Sequence, residues 1–190
     1  MSAASPISDA QLIARVLVHD DRHAFGELVR RHQSTVRACL RKLTAGNAAL
    51  ADDLSQETFL LAYRNLQSFR HEAKFSTWLY RIAYNVFLAD ARKMKELPLP
   101  DGYENGDVGP FTDTPDVPIA RQASLKVDMD RALALLSDAE RAAIVQCYHN
   151  DLSHEEAAYV LSCPVGTVKT HILRAKQKLK TRLLAWAPEP

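Results

Sequence analysis

The stretch Ser153-His-Glu-Glu-Ala-Ala-Tyr-Val-Leu-Ser-Cys-Pro-Val-Gly-Thr-Val-Lys-Thr-His-Ile-Leu-Arg174 decides the fold. Ser153 with Glu156 three residues later is a capping box, and Ala157, Ala158, Val160 and Leu161 give the helix behind it an apolar side. Ser162-Cys-Pro-Val-Gly166 reads as a turn. Thr167 then opens a last helix expected to run to about Trp186. That helix carries Lys169, Arg174, Lys176, Lys178, Lys180 and Arg182, and no acid occurs from Val165 to Ala187. A short helix, a tight turn and a basic helix form a helix-turn-helix. The second helix suits a major groove, its first turns facing base edges and its cations facing phosphates. A solvated surface also produces basic helices, but these usually pair their charges with acids four residues away, and here the acids are missing.

Working outward, the rest of the chain also reads as helical. Residues 125–136 form one helix. Ser137-Asp-Ala-Glu140 is a capping box opening another, with Ile144, Val145 and Tyr148 on its apolar side. Near the start, Ser8-Asp-Ala-Gln11 is a third capping box, before Leu12, Ile13, Val16 and Leu17. Phe25, Leu28, Val29, His32, Val36, Leu40 and Leu43 recur at helical spacing, and Gly46-Asn47 ends that run. A further helix carries Leu50, Leu54, Phe59, Leu61 and Tyr63, and another Trp78, Leu79, Ile82, Ala83, Val86 and Phe87. Trp78 fits that core stripe better than it fits an exposed contact. No alternating strand pattern competes.

The helical regions are separated by a different kind of sequence. From Glu96 to Pro118 there are six acids, no Lys or Arg, five prolines and three glycines. Such a stretch resists regular structure and reads as a flexible acidic linker. The fold expected is therefore all-α: two small helical domains, residues 1–95 and 119–190, joined by the linker 96–118, the second domain a helix-turn-helix.

Composition sets the outer bounds. The chain has 190 residues, 47% of them hydrophobic and 25% charged, ordinary for a folded protein. Its net charge is only +1, from 24 Lys+Arg against 23 Asp+Glu. By itself that sum argues against a histone-like coat for nucleic acid, yet it adds an acidic linker to a basic helix. No apolar run is long enough to span a bilayer, and residues 1–7 have neither the charge nor the apolar core of an export signal. Three distant cysteines, Cys39, Cys147 and Cys163, do not make a disulfide framework, so a reducing cytoplasm is expected. With only Ala187-Pro-Glu-Pro190 after the last helix, any sensing is expected in a separate protein.

Three motifs in order carry a resemblance to a known family. Phe75-Ser-Thr-Trp-Leu-Tyr-Arg-Ile-Ala-Tyr-Asn85, with Asp90 and Arg92 after it, resembles the main signature of the extracytoplasmic-function (ECF) RNA polymerase sigma factors. Asp52-Asp-Leu-Ser-Gln-Glu-Thr-Phe59 is similar to their polymerase-docking stretch, and Cys163-Pro-Val-Gly-Thr-Val-Lys169 with Arg174-Ala175 to their recognition helix. The resemblance covers about residues 9 to 184. It implies a protein that binds core RNA polymerase and directs promoter-specific initiation, reading an upstream element as duplex and a downstream one as melted single strand.

The resemblance assigns roles that the residues can fill. Asp52, Asp53, Gln56 and Glu57 would face clamp helices of the largest catalytic subunit, where acids and an amide accept from Arg and Lys. Acids also favour a helix N-terminus with no partner at all. The loop around residues 68–74 would capture a base flipped from the non-template strand, with Phe69, Arg70, His71 and Lys74 supplying a wall, polar groups and cations. Arg81 and Asn85, four apart, share a helix face behind it. In the last helix, Thr167 caps or donates to a phosphate, and Lys169, Thr170, His171, Leu173 and Arg174 occupy the first two turns. Arg174 suits a bidentate contact to guanine, while Val168 and Ile172 face inward. Lys176, Lys178 and Lys180 are phosphate contacts or solubilising charges. The acidic linker would thread the RNA exit path, or serve as a soluble spacer. Family members are commonly held by a membrane-anchored anti-sigma factor, which joins polymerase and promoter DNA as an expected partner.

Cys147, His149, His154 and Cys163 lack standard zinc spacing, and the sequence has no phosphate loop, nucleophile elbow or His-Glu-x-x-His pair. No metal, cofactor, small-molecule substrate or catalytic residue is expected, and the free chain is expected to be a monomer. The rival reading is an autonomous helix-turn-helix regulator whose first 95 residues sense or dimerise, binding a symmetric operator without polymerase.

Overall fold

The structure is a computed structural model, and it describes residues 7–96 and 129–186 of the 190. Every regular element among them is helical: α1 (Asp9–His19), α2 (Arg22–Leu43), α3 (Ala48–Arg64), a 3-10 turn (Leu66–Ser68) and α4 (Phe75–Glu96). After the break come α5 (residues 129–134), α6 (Asp138–Ile144) continued by a π-helical turn (Val145–His149), α7 (His154–Leu161) and α8 (Val165–Trp186). Apart from Glu96, which ends α4, the expected acidic linker lies outside the described residues, as do residues 119–128.

The helix starts follow from local chemistry. Ser8, Ser137 and Ser153 each accept from the backbone N–H three residues on, while Gln11, Glu140 and Glu156 reach back to the cap. Each such cap is worth about 1 kcal/mol. Gly46, at φ +94°, turns the chain after α2, and the Asn47 side chain then accepts from Leu50 N–H to start α3. Only glycine takes that φ without strain.

α2 is the hub of the N-terminal half, packing against α1, α3 and α4. Leu12, Ile13, Leu28, Val36, Leu40, Leu43, Leu54, Leu66 and Leu79 are buried in one cluster, with Phe69, Phe75 and Trp78 at its end. Trp78 is a core residue, as its stripe suggests, and of the apolar residues of α1 Leu12, Ile13 and Val16 are buried while Leu17 is exposed. At the N-terminus, the Asp9 carboxylate receives Arg31 at 3.0 Å and His32 at 2.6 Å, tying α1 to α2.

The C-terminal half is built on smaller residues. α8 lies across α6 and α7, with Val168 and Ile172 against Ala143, Ala157 and Ala158, and Ala175 against Leu133 and Leu136. Val168 and Ile172 thus face inward as the spacing predicts. Tyr148 does not: it is exposed, and Gln146 is fully buried in its place. The π-helical turn at Val145–His149 is the cause, because one residue more per turn rotates everything after it around the axis.

A second departure concerns the turn before the last helix. α8 begins at Val165 rather than Thr167. Pro164, with no N–H to lose, stands just before the first turn, and its carbonyl accepts from Thr167 (2.9 Å) and Val168 (3.2 Å). The turn shortens to Ser162-Cys163-Pro164, with Ser162 left-handed at φ 52°. Thr167 is therefore inside the first turn and does not cap the helix.

Candidate nucleic-acid and polymerase interfaces

Three surfaces collect the residues that the sequence singles out. The first is the face of α8. Lys169, Thr170, Leu173 and Arg174 are exposed, Thr167 and His171 half-buried, and Val168, Ile172 and Ala175 buried beneath them. The inward stripe fixes which side of the helix faces out, so the exposed row is presented by packing and not by chance. Thr170 Oγ1 donates back to Gly166 O at 2.9 Å, which leaves its oxygen free to accept.

The apparent lack of acids around α8 is a feature of the sequence only. Lys178 Nζ sits 2.7 Å from the buried carboxylate of Glu140 on α6. That ammonium, first, and the Ser137 backbone N–H hold the Glu140 carboxyl below its ordinary range, against burial. Lys176 Nζ lies 4.8 Å from the centre of the Tyr148 ring. Lys178 is thus a structural cation that fastens the recognition helix to α6. The exposed cations described on α8 away from these contacts are Lys169, Arg174 and Lys180.

The second surface is a pocket of about 420 Å³ between the 68–74 loop and α4. Arg70, Arg81 and Asn85 line it with Trp78 and Phe69. Arg81 and Asn85 share this face, as their four-residue step requires. Phe69 is 7% exposed and packs edge-on to Phe75 (5.5 Å between centroids) and tilted against Trp78 (5.3 Å), so it is a wall of the pocket and part of the core at once. The loop does not send all its residues to one place. His71, left-handed at φ 58°, packs at a tilt against Phe69, with ring centroids 4.5 Å apart. His71 and Lys74 line a separate hollow shared with Asp9 and Ser76. The aromatic ring divides the loop into two faces that a linear reading cannot separate. Sequence reasoning also missed Tyr159, on α7, which closes one side of the Arg81 pocket. Its ring lies 4.5 Å from the Arg81 guanidinium carbon. Nothing local flags it, because the two residues come from opposite halves of the chain.

The third surface is an open, mainly apolar groove of about 520 Å³ between α2 and α3. Phe25, Val29, Phe59, Leu60 and Tyr63 form its floor, and Arg22, Arg37, Asp52 and Gln56 rim it. Phe25 and Tyr63 meet edge-on at 4.9 Å, and Tyr63 Oη donates to Asp20 at 2.6 Å. Leu60 is 60% exposed. Of the acidic set, Asp52 and Gln56 line the groove, whereas Asp53 and Glu57 are exposed beyond it. Asp52 already pairs with Arg37 at 2.8 Å. The floor was legible in Phe59-Leu60-Leu61, since three successive apolar residues on a helix cannot all face inward.

Cysteine and metal chemistry has little support in the geometry. Cys39 is wholly buried, which pushes its thiol up to about 11. Burial also raises Cys147 and Cys163, the reverse of what an activated thiol needs. Among the described residues no three His, Cys, Asp or Glu side chains converge on one point. No helix among them is long and apolar enough to cross a membrane.

The described residues thus form a helical N-terminal unit with a polar pocket against an aromatic wall, followed by a helix-turn-helix. Comparison with known proteins agrees. The family models Sigma-70 region 2 and Sigma-70, region 4 match residues 28–96 and 126–179. The ECF RNA polymerase sigma-E factor of Haemophilus influenzae is 34% identical over 188 residues, covering 95% of this chain and 97% of that protein. ECF RNA polymerase sigma factor SigM of Mycobacterium tuberculosis is 36% identical over 179 residues, covering 94% and 86%. Among solved structures, the sigma factor RpoE of Bartonella quintana, in complex with the anti-sigma factor NepR, superposes with a TM-score of 0.68 at 28% identity, covering 84% of this chain and 96% of that one. CnrH, in complex with the cytosolic domain of CnrY, gives 0.67 at 28%, covering 93% and 97%. The chain belongs to the ECF sigma factors of RNA polymerase. It directs promoter-specific transcription initiation, and its partners are core RNA polymerase and promoter DNA.

Proposed function

We propose the following division of labour within that role. Residues 1–95 hold core polymerase and read the downstream element; residues 119–190 read the upstream element as duplex; residues 96–118 connect them. Polymerase seats on the α2–α3 groove, its apolar groups on Leu60 and Phe59 and its cations on Asp52, Gln56, Asp53 and Glu57. A base flipped from the non-template strand enters the pocket beside Trp78, where Asn85 offers an amide to a base edge and Arg70 and Arg81 offer cations to phosphate or ring. His71 and Lys74, in their separate hollow, follow the adjoining backbone. On α8, Arg174 reads guanine, Lys169 and Thr170 contact bases or phosphates, and His171, Leu173 and Thr167 complete the surface.

The observation that carries this reading is the second pocket. Two cations, an amide and the Glu72 carboxylate line it beside an aromatic wall, on a face that a core stripe of Trp78 and Leu79 holds in place. The chain supplies recognition and the polymerase supplies the chemistry, so no catalytic residue, cofactor or metal is assigned to it. It works in the cytoplasm, where the polymerase is, and is a monomer when free. Two similar proteins are captured with an anti-sigma factor or a cytosolic domain, and an anti-sigma factor, membrane-anchored in the form the family suggests, is assigned here on the same grounds.

The test is strand opening by reconstituted holoenzyme. Arg81→Ala and Asn85→Ala should keep core binding and closed-complex formation but lose permanganate reactivity of thymines downstream. Unchanged reactivity in both variants would remove the pocket from promoter melting.

A further inference from the structure

An exposed aromatic ring stands beside α8 without a part in the surfaces described above. Tyr148 is 58% exposed, because the π-helical turn at Val145–His149 carries it out of the apolar stripe of α6. Such turns occur inside α-helices mostly singly, and frequently at functional sites. The ring meets α8, where the Lys176 ammonium lies 4.8 Å from its centre. Lys176 is exposed, and among the described residues no carboxylate pairs with it, whereas Lys178 is bound to Glu140. Lys176 comes seven residues after Lys169 and three after Leu173, so the three share one outward stripe of α8. At the helical rise per residue, Lys176 stands about 10 Å farther along the axis than Lys169.

We propose that Tyr148 and Lys176 together form a phosphate-binding site that holds the backbone of the upstream duplex. This rests on the reading of α8 as the helix that enters the major groove. Such a helix puts its N-terminal residues on base edges, so its later turns pass the sugar–phosphate wall of the groove. Lys169, Thr170 and Arg174 occupy the first position, and Lys176 stands at the second. Both groups of the pair suit a phosphate oxygen. The ring face attracts the ammonium through its quadrupole, and of the three N–H donors on the lysine at least two remain for the ligand. The phenol adds a neutral O–H donor at the rim of the same ring, and tyrosine is among the residues that contact phosphates. The ring also places a long, flexible side chain in advance, which lowers the entropy lost on binding. A contact of this kind carries no sequence information; it sets the register and orientation of α8 on the duplex. Because Tyr148 belongs to the turn after α6, the site fastens two helical segments of the C-terminal unit to one strand.

The test is the salt dependence of closed-complex formation by reconstituted holoenzyme, on several promoters from which it gives run-off transcripts. Tyr148→Phe keeps the ring and the place of Lys176 but removes the hydroxyl. It should weaken binding about fivefold on every promoter, with the slope of log affinity against log salt unchanged. Lys176→Gln should weaken binding on every promoter and make that slope shallower by about 0.9, the value of one phosphate contact. Thermal melts should show both variants as stable as wild type, since both side chains are exposed. Arg174→Ala is the control, with its loss concentrated on the preferred upstream element. Unchanged affinity and slope in either variant, while Arg174→Ala behaves as expected, would overturn the paired site. A loss confined to some promoter sequences would make the pair a base contact and overturn it as well. An Arg174→Ala variant indistinguishable from wild type would instead overturn the reading of α8 itself.

Discussion

Leu60 lies on the apolar floor of the α2–α3 groove, inside a rim of charges, and its role can be weighed from its exposure. Full burial of a leucine stabilises by about 1.5–3 kcal/mol. With 60% of the residue still exposed, some three-fifths of that remains for a partner to gain. Leu60→Ala keeps one carbon of the side chain, so it should weaken core polymerase binding by about 1 kcal/mol, roughly fivefold. The fold should not notice, because alanine is the better helix former and little packing is lost. Val18 on α1, 72% exposed and not part of the groove, is the control. Fluorescence titration of the labelled chain with core enzyme gives the affinities, and thermal melts confirm equal stability. Equal affinity for wild type and Leu60→Ala, or an equal loss in Val18→Ala, would refute the groove as the docking surface.

Further outcomes follow from the same contacts. Arg174→Ala should cost about 1–3 kcal/mol of discrimination on templates with the preferred upstream element; an equal loss on all templates in competitive run-off assays would make it a phosphate contact. Val168→Ala, at a wholly buried site in a core of alanines, should destabilise the chain by about 1.5–3 kcal/mol in urea unfolding. Glu140 has a lowered folded-state pKa, so its pair with Lys178 stabilises fully above about pH 4.5, its ordinary value, and is lost as pH falls through the lower folded value. Glu140→Gln should therefore lower the melting temperature near neutral pH and narrow the gap to wild type as the solution is acidified below that point. A gap constant with pH would mean that the pair contributes nothing through its charge.

What the sequence discloses is what local rules write into it. The capping boxes at Ser8, Ser137 and Ser153 each open a helix because cap and N3 residue are three apart and need no tertiary partner. Val168 and Ile172 face inward because helical spacing alone sets their side. The π-helical turn leaves no such mark: its extra residue turns Gln146 inward and Tyr148 outward, against the simple periodicity. The division of the 68–74 loop depends on a ring at Phe69 whose direction is set by Phe75 and Trp78. Lys178 looked like a free cation because its acid, Glu140, lies 38 positions away. Contacts such as Cys39 with Asn150, 111 positions apart, are fixed by packing of whole units and have no local signature.

The most direct measurement is run-off transcription by core polymerase reconstituted with the purified chain. Transcripts that start at defined promoters, require the chain, and fail when Arg81 and Asn85 are replaced are the expected result of the sigma-factor assignment. No transcript from any genomic promoter, together with a chain that alone shifts palindromic DNA, would contradict it.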